Sequence, residues 1–157
     1  LTVEWTPPSD GPERPCVRVL RADGTDTGIA FHGVPGGHEF NSFVVGLYNA
    51  AGPGQSIDPA LAEAVAAIDR PLDLQIVVAL SCTMCPELVI AAQKIAASNP
   101  LVTAKVYDVN HFPELRERYK IMSVPCLIIN KAKVAFGKKT LGQLLELLAE
   151  PEDGQTG

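Results

Sequence analysis

Residues 72–86 read Leu72-Asp-Leu-Gln-Ile-Val-Val-Ala-Leu-Ser-Cys-Thr-Met-Cys-Pro86, and the fold turns on them. From Leu72 to Leu80 nearly every position is apolar and the middle is β-branched, the pattern of a central strand covered on both faces rather than an edge. Pro86 then opens a helix to about Ser98, with Leu88, Val89, Ala92, Ile95 and Ala96 inward, until Asn99-Pro100 stops it. Cys82 and Cys85 therefore sit where a strand gives way to a helix.

Working outward, Val102, Ala104 and Val106 alternate with polar neighbours as a second strand, and Phe112 to Tyr119 follows as a short helix. Cys126–Ile129 and Val134–Phe136, joined by residues 130–133, read as a β-hairpin. Thr140 and Gln143 form a capping box for a last helix that buries Leu141, Leu144, Leu145 and Leu148. The order from Leu72 is βαβαββα. Upstream, Asp58 as N-cap and Pro59 announce a helix bearing Leu61, Ala64, Val65 and Ile68 on one face. Before it, composition shifts to Gly and Pro turns, so the chain divides into residues 1–57, 58–150 and a tail or linker start at 151–157. Within 1–57, Val17–Leu20 and Ile29–Phe31 suggest a hairpin. Phe40, Phe43, Val44 and Leu47 give a helix over residues 38–50 an apolar stripe expected to pack on that hairpin or on a neighbour.

Two cysteines three apart at a helix start place both sulfurs on one side of the first turn, where a readily opened disulfide can close. The exposed Cys82 thiol feels the positive end of the helix dipole and the unpaired amides of the first turn, both of which favour thiolate. Cys82 is thus assigned as the attacking nucleophile and Cys85, one turn deeper, as the resolving thiol. The competing reading, half of a zinc site, needs a second ligand pair at comparable spacing. Cys16 and Cys126 stand alone, and His32, His38 and His111 are scattered, so no metal is expected. Cys16 reads as a free thiol, Cys126 as a small packing residue on an inward strand position, and His38 as a helix-start residue.

Val124-Pro125 stands where thioredoxin-like folds put a cis-proline loop, just after the second helix. Such a loop would lie against the dithiol and offer the backbone of Val124 to an incoming extended segment, making Val124 and Pro125 the expected substrate-binding residues. The alternative is a trans proline starting an edge strand. A net charge of -5 with no run of basic residues argues against nucleic acid as a partner. The longest aliphatic run, Ile76 to Leu80, is far short of the roughly 20 residues that cross a bilayer, so no membrane partner is expected. Four cysteines with only two close together suit a reducing, cytoplasmic compartment. The chain lacks an initiator methionine and is read as a fragment.

With these residues in view, the chain resembles the N-terminal domain of the alkyl hydroperoxide reductase flavoprotein, the F component of that system. The likeness is carried by Gly24-Thr-Asp-Thr-Gly28, Gly33-Val-Pro-Gly-Gly-His-Glu-Phe40, Leu80-Ser-Cys-Thr-Met-Cys-Pro86, Ser98-Asn-Pro100, Val124-Pro125, and Gly137 with Thr140-Leu141. The resemblance implies an α/β architecture of two fused thioredoxin-like folds, the first degenerate and truncated, the second complete and redox-active. It implies electrons arriving from NADH through FAD and a second dithiol on a flavoprotein body, then leaving for a peroxiredoxin disulfide. No Gly-x-Gly-x-x-Gly follows a strand here, so FAD and NADH are expected outside this chain. Where that family commonly shows His-Asn between the cysteines, this chain has Thr83-Met84. The resemblance also puts Glu39 near the dithiol as a modulating carboxylate, since a nearby negative charge raises a thiol's pKa. A solvent-facing first-turn glutamate is the alternative. Two other readings stay open: a free-standing glutaredoxin-like protein disulfide oxidoreductase, and a non-catalytic interaction module with a structural dithiol.

Overall fold

Leu72–Val78 forms strand β3, and its unbroken apolar character finds cover on both faces: Leu74, Ile76, Val77 and Val78 have no exposed surface. The computed structural model, which describes residues 2–4 and 11–151, pairs β3 in parallel with β4 (Val102–Asp108) and antiparallel with β5 (Cys126–Ile129). Helix α3 (Cys85–Ser98) and the short α4 (Glu114–Arg118) make the crossovers, and β6 (Lys133–Phe136) with α5 (Leu141–Ala149) closes the βαβαββα order expected from Leu72 onward. Thr140 caps α5 through the reciprocal capping box with Gln143, and Asp58 caps α2 (Pro59–Ala66) through the amide of Ala60. The tail reading beyond Pro151 lies outside the described residues.

Strands β1 (Cys16–Leu20) and β2 (Asp26–His32) form the expected hairpin, and β2 runs parallel to β4. Among the described residues, all six strands therefore join one sheet in the order β1-β2-β4-β3-β5-β6, a mixed α/β thioredoxin-like fold with five helices. Gly28 permits this junction, because its φ is +79° and an added Cβ would stand 2.7 Å from the Val102 carbonyl oxygen. Replacing Ile76 by alanine at the centre of the sheet is expected to cost about 2–5 kcal/mol of stability, read as a fall in the urea midpoint with unchanged slope.

Helix α1 (Glu39–Ala51) departs from the expected packing. Phe43 and Leu47 meet the core, but Phe40 is 61% exposed and Val44 43%. The face turned inward is Glu39, Ser42, Gly46, Asn49 and Ala50. Small size explains the rotation: α1 lies so close to α3 that a Cβ on Gly46 would fall 2.3 Å from Gln93 Oε1. The two helices run in the same direction. Their starts are joined through His38 N–H, which donates to the Leu80 carbonyl at 2.9 Å, and their ends through Arg21, which donates to the carbonyls of Ala50 and Ala97.

Candidate active site

The ladder of β3 ends at Val78, two residues before the end expected from sequence, because the backbone turns there: Cys82 N–H donates to the Ala79 carbonyl at 2.9 Å. Helix α3 correspondingly starts at Cys85, one residue early, with Pro86 in its first turn and Met84 before it lacking any side-chain cap. Cys82 and Cys85 are joined as a disulfide across a Cα–Cα separation of 5.6 Å. Cys82 is half-buried, whereas Cys85 has no exposed surface. An entering thiol or thiolate can therefore reach only the Cys82 sulfur of the pair.

The Val124–Pro125 peptide is cis, and the Val124 carbonyl oxygen lies 4.0 Å from the Cys82 sulfur. Pro125 is buried while Val124 is half-buried, and Gly137 N–H secures the loop by donating to the Pro125 carbonyl at 3.0 Å. The fold thus brings together Cys82, Cys85, Val124 and Pro125.

Glu39 is fully buried at the start of α1, one residue beyond the amide that holds Leu80. Its Oε2 accepts from the Ser42 hydroxyl, and its Oε1 has no hydrogen-bond partner. Burial drives its pKa above the ordinary carboxylate range, and the Ser42 hydroxyl opposes this only in part. A buried carboxyl with a raised pKa favours the fold while protonated, below the unfolded value of about 4.3, and that contribution is lost as pH rises through the folded value. Thermal unfolding from pH 4 to 8 should accordingly show wild type losing stability relative to Glu39→Gln as pH rises, the two converging at the acid end. Parallel pH profiles would remove the buried-carboxyl reading.

His38 starts α1 as expected, through its backbone amide rather than its side chain. Cys126 is buried, and burial pushes its thiol up to about 11. Sequence reasoning missed the surroundings of Cys16, which pairs with His32 across the β1–β2 hairpin. His32 Nδ1 faces the Glu13 carbonyl at 2.7 Å, and a carbonyl only accepts, so Nδ1 carries the proton. Nε2 is left to accept from the Cys16 thiol at 3.8 Å, and burial raises the pKa of that thiol. In both free cysteines burial disfavours the thiolate, the reactive form. Among the described residues no three His, Cys, Asp or Glu side chains gather as a metal-holding group, and no helix is long and apolar enough to cross a membrane.

Comparison with known proteins converges on the same region. Residues 72–149 match the family model described as thioredoxin domain. The alkyl hydroperoxide reductase F protein of Pseudomonas aeruginosa is 33% identical over 135 residues, covering 86% of this chain and 25% of that protein. Its counterpart in Staphylococcus epidermidis is 30% identical over 130 residues, 83% of this chain and 25% of that protein. The chain thus spans about a quarter of the length of these relatives. The solved NTD_N/C domain of alkylhydroperoxide reductase AhpF from Enterococcus faecalis superposes with a TM-score of 0.84 at 42% identity, covering 87% of this chain and 66% of that one.

Proposed function

With residues 72–149 belonging to the thioredoxin domain family and the chain matching the N-terminal domain of the alkyl hydroperoxide reductase flavoprotein AhpF, we propose that it relays electrons from a flavoprotein dithiol to a peroxiredoxin disulfide. The observation that carries this reading is the asymmetric dithiol at the start of α3, one sulfur reachable and the other enclosed, with the Val124 carbonyl beside the reachable one.

In the reduced protein the Cys82 thiolate attacks one sulfur of the partner disulfide. A Cys82–partner bond forms, and the second partner sulfur departs as a thiolate that takes up a proton. Cys85 then loses its proton and attacks the Cys82 sulfur; the Cys82–Cys85 bond closes, and the first partner sulfur leaves. Two electrons have passed to the partner. Val124 and Pro125 hold the incoming segment extended across Cys82, in the manner of strand addition. Glu39, buried on the helix packed against α3, modulates the pair by resisting a second negative charge nearby. FAD and NADH would be held by a flavoprotein body and would supply the electrons that reload the dithiol, and the relay works in a reducing, cytoplasmic setting.

Residues 1–57 are read as the closing part of a first thioredoxin-like fold, joined to the redox-active fold of 58–150. In support, β1-β2-α1 repeats the hairpin-then-helix order of β5-β6-α5.

The test is a single-turnover experiment that mixes reduced protein with oxidised peroxiredoxin or with glutathione disulfide. Reduction of peroxiredoxin at least about 100-fold faster supports the relay, since specific docking raises encounter rates by that order. Equal rates, or faster reaction with glutathione disulfide, would favour a free-standing glutaredoxin-like oxidoreductase.

A further inference from the structure

The chain is acidic overall, at -5, yet between Glu117 and Glu146 it contains no acidic residue and six basic ones. Nothing in their sequence order forms a cluster, but three of them lie on the two stretches that meet at the cis-proline loop. Lys120 lies two residues before Met122 in the approach to Val124-Pro125, and Lys138 and Lys139 directly follow Gly137, whose amide is bonded to the Pro125 carbonyl. Lys120 and Lys138 are exposed; Lys139 is half-buried, its ammonium donating to the Phe136 and Gly137 carbonyls.

Both methionines of the chain lie on the two segments that meet at the dithiol, the one carrying Cys82 and the one leading to Val124. Met84, between the two cysteines, is 52% exposed, and Met122, beside the cis-proline loop, is 87% exposed. Neither fills the core, which is the usual place for so apolar a side chain. Unbranched thioether side chains at a surface adapt to varied apolar partners, and here one stands two residues after Cys82 and the other two residues before Val124, whose carbonyl faces the Cys82 sulfur. Glu87, in the first turn of α3, is exposed and acidic.

Resting on the dithiol relay proposed above, we infer that this end of the molecule selects its partner, and that the partner presents its disulfide in an extended segment with apolar residues next to the cysteine and acidic residues beyond them. The apolar residues lie on Met84 and Met122, the backbone pairs with Val124, and the carboxylates face Lys120, Lys138 and Lys139. Opposite charge raises encounter frequency more than it raises affinity, so the selection acts on the second-order rate and is screened by salt.

The experiment uses two synthetic disulfide peptides with identical apolar residues beside the cysteines, one flanked by glutamates and one by lysines, together with the small uncharged 2-hydroxyethyl disulfide. Reduced wild-type protein is expected to reduce the acidic peptide at least about 10-fold faster than the basic one at about 0.01 M salt. The ratio should fall toward unity at about 0.5 M, where the Debye length shrinks from about 30 Å to about 4 Å. Lys120→Glu/Lys138→Glu is expected to abolish or invert that ratio, and Lys131→Glu at the far end of the β5–β6 hairpin to preserve it. Equal rates for the two peptides, or a ratio insensitive to salt, would overturn the docking inference while leaving the relay intact, provided 2-hydroxyethyl disulfide is reduced. Failure to reduce even that compound would instead strike the relay itself.

Discussion

Replacing Cys82 by serine is expected to lower electron transfer to a protein disulfide by at least about a thousandfold, because a hydroxyl neither ionises nor attacks sulfur near neutral pH. Cys85→Ser should stop turnover as completely by a different route. Its Cys82 thiolate still attacks, but no second thiol stands behind it, so the partner stays bound through a mixed disulfide. Intact mass under non-reducing conditions distinguishes the two: an adduct equal to the partner's mass for Cys85→Ser, none for Cys82→Ser. The burial of Cys85 and the partial exposure of Cys82 dictate this order of attack. An adduct on Cys82→Ser through Cys85 would reverse the assignment.

The second large effect is expected at Gly37, which touches neither sulfur. Its φ of +53° lies in the left-handed region, and an added Cβ would stand 2.5 Å from the Leu80 carbonyl oxygen and 3.0 Å from Leu80 Cβ. The nearest atom in the way is backbone, so it cannot swing aside as a side-chain end could. Relief requires the 33–38 segment and the turn at residues 79–82 to separate, which breaks the His38 N–H to Leu80 bond and uncovers Glu39. Strain of this kind, with a lost hydrogen bond, costs about 2–4 kcal/mol. Gly37→Ala should therefore show a lower urea midpoint and a dithiol more easily reached by alkylating reagents. Wild-type stability and reactivity would mean that the two segments do not hold one another in place.

The parts of this site that were legible in the sequence are those encoded by near neighbours. Cys82 and Cys85 declare themselves through a spacing of three at a strand-to-helix change, and Asp58, Thr140 and Gln143 through capping chemistry confined to one helical turn. Pro125 was legible because position in the element order, rather than contact, singled it out. What could not be read depends on residues far apart in the chain. The inward turn of Glu39, Ser42 and Gly46 on α1 follows from the close approach of α3 at Gln93, a fact about two helices, while the apolar stripe of Phe40 and Val44 argued locally for the opposite rotation. The Cys16–His32 pair needed the register of a hairpin, and the approach of the Lys138-Lys139 stretch to the loop that follows Lys120 needed the hydrogen bond from the Gly137 amide to the Pro125 carbonyl. Their sequence signals, a lone cysteine and a stretch free of acids, acquire meaning only in the folded chain.

The most direct measurement is the pH dependence of alkylation of the fully reduced protein by iodoacetamide, followed residue by residue by mass spectrometry. A thiol at the start of α3 should label at Cys82 well below the ordinary cysteine midpoint of about 8.5. Buried Cys85 and Cys126, and the half-buried Cys16 with its raised pKa, should remain unlabelled at the same pH. Labelling of Cys82 only at or above that midpoint, or labelling of all four cysteines together, would contradict an activated sulfur at this helix end and with it the electron relay.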